Sequence, residues 1–212
     1  MQQTVPKQFL PLNGKPVISY SIEAFHAFDK DIEIILVIHP DYISLWQSLC
    51  AEFDIKIDFR VVIGGQTRFE SVKNGLQSID GEGYVAIHDA ARPVIDAVFV
   101  KQVFDQAEKY GSAMPGIGLN DTIRMIEGNS SVQLDRTLLR SMQTPQVFQI
   151  HELRKAYKQE FQPFFTDDAS VMQSAGFALH MVEGRQGNIK ITHPQDMAVA
   201  EALLKMQYPE KS

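Results

Sequence analysis

The sequence predicts an α/β protein: a doubly wound, mostly parallel, Rossmann-like sheet with helices on both faces. Three observations carry this. Short apolar runs alternate with amphipathic stretches at the spacing of βαβ units. The run ending at Pro40 is continuously apolar, as strands buried on both faces are. A third run, Val85-Ala86-Ile87, stops on His88-Asp89 and enters the turn Ala90-Ala91-Arg92-Pro93. Open α/β sheets place their ligands at such carboxyl ends.

The elements follow in order. Residues 15–28 space Val17, Ile18, Ile22, Phe25 and Phe28 as one stripe of an amphipathic helix. Residues 33–39 read as a buried strand. Residues 41–53 repeat Ile43, Trp46, Leu49, Cys50 and Phe53 at helical spacing. A strand at 59–63 ends on Gly64-Gly65, and a helix at 67–79 has Thr67 as its N-cap. A strand at 84–88, a helix at 96–110 and a strand at 112–117 complete the first rhythm. Two strand-like runs, 121–126 and 131–136, then flank Glu127-Gly128-Asn129-Ser130 as a β-hairpin. A lone hairpin is marginal in water. Segment 117–140 is therefore expected to be a dimerisation arm rather than a hairpin folded back on its own domain. Helices at 150–161 and 167–174, a strand at 178–182 and a helix at 194–206 finish the chain, with 209–212 frayed. No repeat is visible. The chain opens on a polar loop, where a doubly wound domain ordinarily opens on a strand and a phosphate-cradling turn.

Composition limits the function. With 212 residues, 44% hydrophobic and 22% charged, one soluble domain is expected. The net charge of -6 argues against a broad nucleic-acid-binding face. Cys50 is the only cysteine, so no internal disulfide forms, and its helical setting makes it a core thiol. No apolar run has membrane-spanning length and no signal peptide opens the chain, which makes a cytoplasmic protein the expectation.

Several residues have the chemistry for a site, and each has a plainer reading. Asp89 can hold a metal ion or a sugar hydroxyl, and Arg92 can grip a phosphate as a fork. Taken alone, a solvated ion pair explains them equally well. Gly64-Gly65 before a helix can face an anion, but two glycines make a weak signal. Helix packing explains Arg68 and Ser71, solvation explains Lys7, and capping explains Thr166-Asp167-Asp168. Lys190 stands between Ile189 and Ile191, which favours function over solvation. The six histidines lack metal-ligand spacing, and no Ser-His-Asp or Cys-His arrangement stands out.

The ordered set is more specific than its members. Pro6-Lys7-Gln8, Gly64-Gly65 with Arg68 and Ser71, 88–93, Asp121-Thr122, Gln143-Thr144-Pro145-Gln146, 166–170 and 188–192 occur in one sequence. This set resembles the 2-C-methyl-D-erythritol 4-phosphate cytidylyltransferases of the non-mevalonate isoprenoid pathway. The resemblance runs from Thr4 to about Leu204.

The resemblance implies a homodimeric enzyme that uses CTP, a polyol phosphate and Mg²⁺ or another divalent cation. The polyol phosphate attacks the α-phosphorus of CTP, and a CDP-alcohol and pyrophosphate result. It implies that Lys7 and Lys190 hold the triphosphate and stabilise the transition state. Gly64, Gly65 and Ser71 match the cytosine side, and Asp89 with Ala90 completes the nucleotide site. Asp89 and Arg92 match positions near the ribose, the metal and the polyol phosphate. Thr166 matches a polyol-contacting position. Thr122 and Arg136, on the arm, match residues that reach the partner's site. The family also begins with a strand and a turn of the type Ala-Ala-Gly-x-Gly-x-Arg-Met, and Met1 falls at the last residue of that turn. A longer natural protein is therefore expected, and a natural mass of 23.9 kDa would refute this. The alternatives are a ribitol 5-phosphate cytidylyltransferase, a non-catalytic nucleotide-binding homologue and, with no Gly-x-Gly-x-x-Gly turn to support it, a dinucleotide-dependent oxidoreductase.

Overall fold

A computed structural model of the chain describes residues 5–207. The expected frayed segment 209–212 and most of the opening loop lie outside the described residues. A single 3₁₀ turn, Lys7–Phe9, leads into a small antiparallel pair, β1 (Pro11–Leu12) and β2 (Lys15–Pro16), and then α1 (Val17–Phe28). The parallel pair β3 (Ile35–Ile38) and β4 (Arg60–Ile63) is joined through α2 (Ile43–Glu52). Next come α3 (Arg68–Gln77), β5 (Tyr84–Ile87), α4 (Ala97–Tyr110) and β6 (Ser112–Gly118). The hairpin is β7 (Ile123–Glu127) and β8 (Ser130–Leu134). The remainder is β9 (Arg140–Met142), β10 (Gln146–Gln149), α5 (Ile150–Ala156), α6 (Asp168–Ser174), β11 (Met181–Glu183) and α7 (Gln195–Gln207).

The sheet is mixed, which corrects the expectation of a mostly parallel one. Its order is β11-β6-β10-β5, and β10 runs antiparallel to both of its neighbours. β9 adds a second antiparallel pairing to β6. Neither strand was expected. β10 offers only Val147 and Phe148 as an apolar signal, between glutamines and just after Pro145. Gln146 is nonetheless buried, because its amide donates to Asp167 Oδ2 (2.8 Å) and its carbonyl accepts from the Ala169 amide (3.0 Å).

The two faces follow from the period of two along a strand. Val85, Ile87 and Phe148 point to one core with Phe69, Leu76, Leu153 and Met172 from α3, α5 and α6. Tyr84, Ala86 and Val147 point to the other with Phe99, Val100 and Val103 of α4 and Ala24 of α1. Helices thus cover both faces. α4 begins on an Asp96 side chain that accepts from the Phe99 amide (2.7 Å) and stops at Gly111 with φ 86°, a conformation glycine adopts without strain.

Several expected bounds and one cap shift. The helix expected at 150–161 ends at Ala156, where the Tyr157 ring turns into the core. The strand expected at 178–182 forms at Met181–Glu183. The helix expected at 41–53 begins as a 3₁₀ turn at Pro40–Tyr42. Asp167, not Thr166, caps α6, in a capping box with Ser170. Thr67 caps α3 as expected, reciprocally with Glu70. Cys50 is half-buried beside Trp46, and burial raises its thiol pKa, so it behaves as a packing residue.

A cavity of about 720 Å³ separates β3 from β5. Its walls are the facing edges Ile34 to Val37 and Tyr84 to His88, with α1 and α3 behind them. Among the described residues β3 pairs only with β4, and β5 only with β10.

Candidate active site

The polar end of this cavity lies where β5 stops, lined by Arg68, Ser71, Asp89 and Ala90. Asp89 is the centre of the cluster. Lys190 Nζ stands 2.8 Å from Asp89 Oδ2, Arg68 Nε 3.6 Å from Oδ1 and Arg92 Nε 3.7 Å from Oδ2. The Asp89 side chain is 16% exposed. Burial alone would raise its pKa; Lys190, Arg68 and the other cations outweigh burial and hold it below the usual carboxylate range. Lys7 belongs to the same field. Burial and then Lys190 lower its pKa, against the pull of Asp89.

The backbone explains why Lys190 reaches Asp89. Ile191 is buried, and its amide donates to Ala91 O at 2.8 Å, which fastens 189–191 beside the turn after β5. The next residues are held by Asp196, which accepts from Thr192 and His193 amides, each at 2.7 Å. Gln143 and Asn188, both buried, stitch the two loops. The Asn188 amide donates to Thr144 O (2.8 Å), and the Gln143 amide donates to Arg185 O (2.7 Å).

His88 is a framework residue. Its Nε2 faces the Arg92 carbonyl (3.2 Å), which only accepts, and its Nδ1 faces Thr144 Oγ1 (3.0 Å). Burial lowers its pKa to about 4, so the ring is neutral near pH 7. The proton therefore sits on Nε2, and Nδ1 accepts from the Thr144 hydroxyl. The same hydroxyl oxygen accepts from the Asp89 amide (3.0 Å). A neutral His-Thr pair thus holds the backbone of Asp89.

Arg92 departs from the expected free fork. Its Nη1 donates to Asn188 O (2.8 Å) and its Nη2 to Met142 O (3.3 Å), so both prongs already brace carbonyls. Burial lowers its pKa, against Asp89. Its buried Nε makes no hydrogen bond among the described residues.

The glycine loop is tightly built. Ser71 Oγ accepts from the Gly65 amide (3.1 Å) and donates to Thr67 O (2.9 Å). A Cβ on Gly65 would lie 2.3 Å from Glu70 Cβ, so the close approach requires glycine. Gly64, Gly65, Ser71, Asp89, Ala90, Arg92, Lys7 and Lys190 thus form one neighbourhood. Thr166 is exposed two residues before Asp168, which reaches Arg68. Thr122 and Arg136 do not join it within one chain. They line a separate hollow of about 470 Å³ at the base of the hairpin. Arg136 there donates to Asn120 O.

Sequence reasoning passed over Thr144, Asn188, Arg68 and Asp168 as individual participants. Two had a signal. A cation in the first turn of α3 opposes the helix dipole, and capping alone asks for one acid, not Asp167 and Asp168 together. Thr144 and Asn188 stood within the ordered motifs, but their individual roles had no local signal, because their partners are far away in sequence.

Among the described residues, three or more His, Cys, Asp or Glu side chains never gather as a metal-binding group, and no helix is long and apolar enough to cross a membrane.

A family model for IspD, 2-C-methyl-D-erythritol 4-phosphate cytidylyltransferase, matches residues 1–206. The chain belongs to this family. The 2-C-methyl-D-erythritol 4-phosphate cytidylyltransferase of Bacteroides fragilis is 44% identical over 204 residues, 96% of this chain and 93% of that protein. That of Bacteroides thetaiotaomicron is 41% identical over the same shares. The crystal structure of the Thermus thermophilus enzyme of that name superposes with a TM-score of 0.77 at 31% identity, over 94% of both chains. A 4-diphosphocytidyl-2C-methyl-D-erythritol synthase structure gives 0.81 at 26% identity, over 93% of this chain and 94% of that one.

Proposed function

We propose that this chain transfers CMP from CTP to 2-C-methyl-D-erythritol 4-phosphate. A phosphate oxygen of the polyol attacks the α-phosphorus, the α–β P–O bond breaks, and pyrophosphate leaves. The products are 4-diphosphocytidyl-2-C-methyl-D-erythritol and pyrophosphate. The observation that carries this is the convergence of Lys190, Arg68 and Arg92 on the single carboxylate of Asp89 beside the glycine loop, with Lys7 within the same electrostatic field. Two reacting anions need fixed positive charge and little else from the protein. On this reading Lys7 and Lys190 hold the triphosphate, and Lys190 exchanges Asp89 for phosphate oxygens. Gly64, Gly65 and Ser71 take the cytosine, and Arg92 acts mainly by bracing Asp89 and the 188–190 loop.

The donor set fits a divalent cation held mostly by the nucleotide. Mg²⁺ commonly binds through one or two carboxylates plus substrate phosphates, and Asp89 is a part-buried carboxylate of that kind. When bound, Mg²⁺ would neutralise charge on the phosphate oxygens. Asp168 is fully buried and engaged elsewhere, which leaves Asp89 as the protein's ligand.

Two further features belong to the reading. The hairpin carries exposed Met125, Ile126 and Val132, and Leu138 beside it is 81% exposed. A second copy packed on this arm would cover them and bring Thr122 and Arg136 to the neighbouring site as polyol-phosphate contacts. The cavity between β3 and β5 suits an added strand, since among the described residues both facing edges lack a partner there. On this reading the reaction, between small water-soluble substrates, runs in the cytoplasm.

The test is pyrophosphate release from CTP and Mg²⁺, with 2-C-methyl-D-erythritol 4-phosphate and ribitol 5-phosphate in parallel, using the protein with its natural amino terminus. Release with the first alone is expected. Release with ribitol 5-phosphate alone, or with neither, overturns the assignment.

A further inference from the structure

Behind the Asp89 cluster stands a second charged group. Asp168, in the first turn of α6, has no exposed surface. A bare carboxylate in such a place is costly unless its oxygens are met. Both are. Tyr157 Oη donates to Asp168 Oδ1 at 2.6 Å, and Arg68 Nη2 meets Oδ2 at 2.5 Å. Arg68 comes from the opposite direction, on the first turn of α3, a hundred residues earlier. Its Nε faces Asp89, and among the described residues its Nη1 makes no hydrogen bond. The guanidinium side chain is 33% exposed and lines the cavity mouth.

We infer that Asp168, fixed by Tyr157, positions Arg68 so that its free edge faces the triphosphate while Nε steadies Asp89. Asp168 is a positioning residue, since it touches no reacting atom. The inference rests on the nucleotidyl-transfer reading and deepens it. The geometry is specific: the planar fork offers Nη2 to one carboxylate and Nε to another, so rotating either acid away frees the whole group. A lysine at 68 would offer one ammonium nitrogen in place of separate nitrogens on a rigid plane, and so could not span both acids in this arrangement. The aromatic stack beneath supports the same arrangement, because the Tyr157 ring lies 4.7 Å from that of Phe69, the neighbour of Arg68.

The experiment compares wild type with Asp168→Asn, Tyr157→Phe, Arg68→Gln and the double variant Asp168→Asn/Arg68→Gln, with the natural amino terminus. Turnover is measured against CTP and against the polyol phosphate, CTP affinity by calorimetry, and folding by thermal melting. Asp168→Asn and Arg68→Gln should each lower kcat/KM for CTP by about 10- to 100-fold, the scale of a small misplacement. The double variant should lose little beyond Arg68→Gln, since Asp168 acts through Arg68. Tyr157→Phe, which keeps the buried ring, should give a smaller loss in the same parameter. The KM for the polyol phosphate should hardly move.

Multiplicative losses in the double variant overturn the inference. So does an Asp168→Asn protein that melts lower but binds and turns over CTP normally. If Asp168→Asn does not fold, Tyr157→Phe decides, and unchanged CTP parameters overturn the inference. A wild type that binds CTP without releasing pyrophosphate ends the transferase reading only; equal weakening of CTP binding by Asp168→Asn and Arg68→Gln would then uphold the positioning role, and unequal weakening would sink it.

Discussion

Replacing Lys190 by alanine separates chemistry from stability. Lys190 Nζ lies 2.8 Å from Asp89, but its side chain is 40% exposed. Pairs this solvated contribute about 0–1 kcal/mol to folding. At about 2–4 °C per kcal/mol for a chain of this size, the melting temperature should fall by no more than a few degrees. Asp89 keeps Arg68 and Arg92 at 3.6 and 3.7 Å, so it is not left bare. Turnover answers to a different demand. Negative charge shifts onto the pyrophosphate oxygens as the α–β bond breaks, and a fixed cation there does not have to reorganise. Loss of one such preorganised group costs on the order of 100- to 1000-fold in kcat, about 3–4 kcal/mol. Steady-state pyrophosphate release and circular-dichroism melting measure the two effects side by side. The reasoning fails if kcat stays within about threefold of wild type, or if Tm falls by more than about 10 °C, which would make Lys190 a structural residue.

Four other outcomes are expected. Phe99→Ala empties a site with no exposed surface in the α4 core, so it should destabilise by about 3–5 kcal/mol in urea titration; a change under about 1 kcal/mol would contradict that core. Gly65→Ala puts a methyl group 2.3 Å from Glu70 Cβ, and should raise the KM for CTP with little change in that for the polyol phosphate; an unaltered KM would remove the loop from the nucleotide site. Arg136→Ala should raise the KM for the polyol phosphate more than that for CTP, and equal effects would count against a site shared between subunits. His88 remains neutral in the folded chain until about pH 4, whereas in the unfolded chain it gains a proton below about pH 6.5. Its folded pKa is the lower one, so its contribution is complete above pH 6.5 and shrinks as pH falls toward 4, by up to about 1.4 kcal/mol per unit. Urea midpoints measured without nucleotide or metal should follow that slope, and a flat profile would contradict a ring held neutral by the fold.

The helices were legible because each solves a local problem. α1, α3 and α4 show their stripes and caps within a dozen residues. β10 was not legible, because nothing local makes Gln146-Val147-Phe148-Gln149 a central strand. It becomes one through Asp167 and Ala169, which satisfy the buried Gln146 from about twenty residues away. The mixed character of the sheet was lost with it. The site shows the same division. Asp89 and Lys190 stood out by the apolar company they keep. The ordered motifs gathered Lys7, Gly64, Gly65 and Ser71 around them. Arg68 and Asp168 read as an ordinary helix start and an ordinary cap until the fold set them 2.5 Å apart. Thr122 and Arg136 share a hollow at the base of the hairpin, away from Asp89.

The central claim is that a CMP group moves from CTP to the phosphate of 2-C-methyl-D-erythritol 4-phosphate. Its most direct test follows CTP labelled at the α-phosphorus, with Mg²⁺ and that polyol, and identifies the labelled product by mass spectrometry. The account predicts label in 4-diphosphocytidyl-2-C-methyl-D-erythritol, with one pyrophosphate released per product. Label that stays in CTP, or appears only as free CMP, would contradict it.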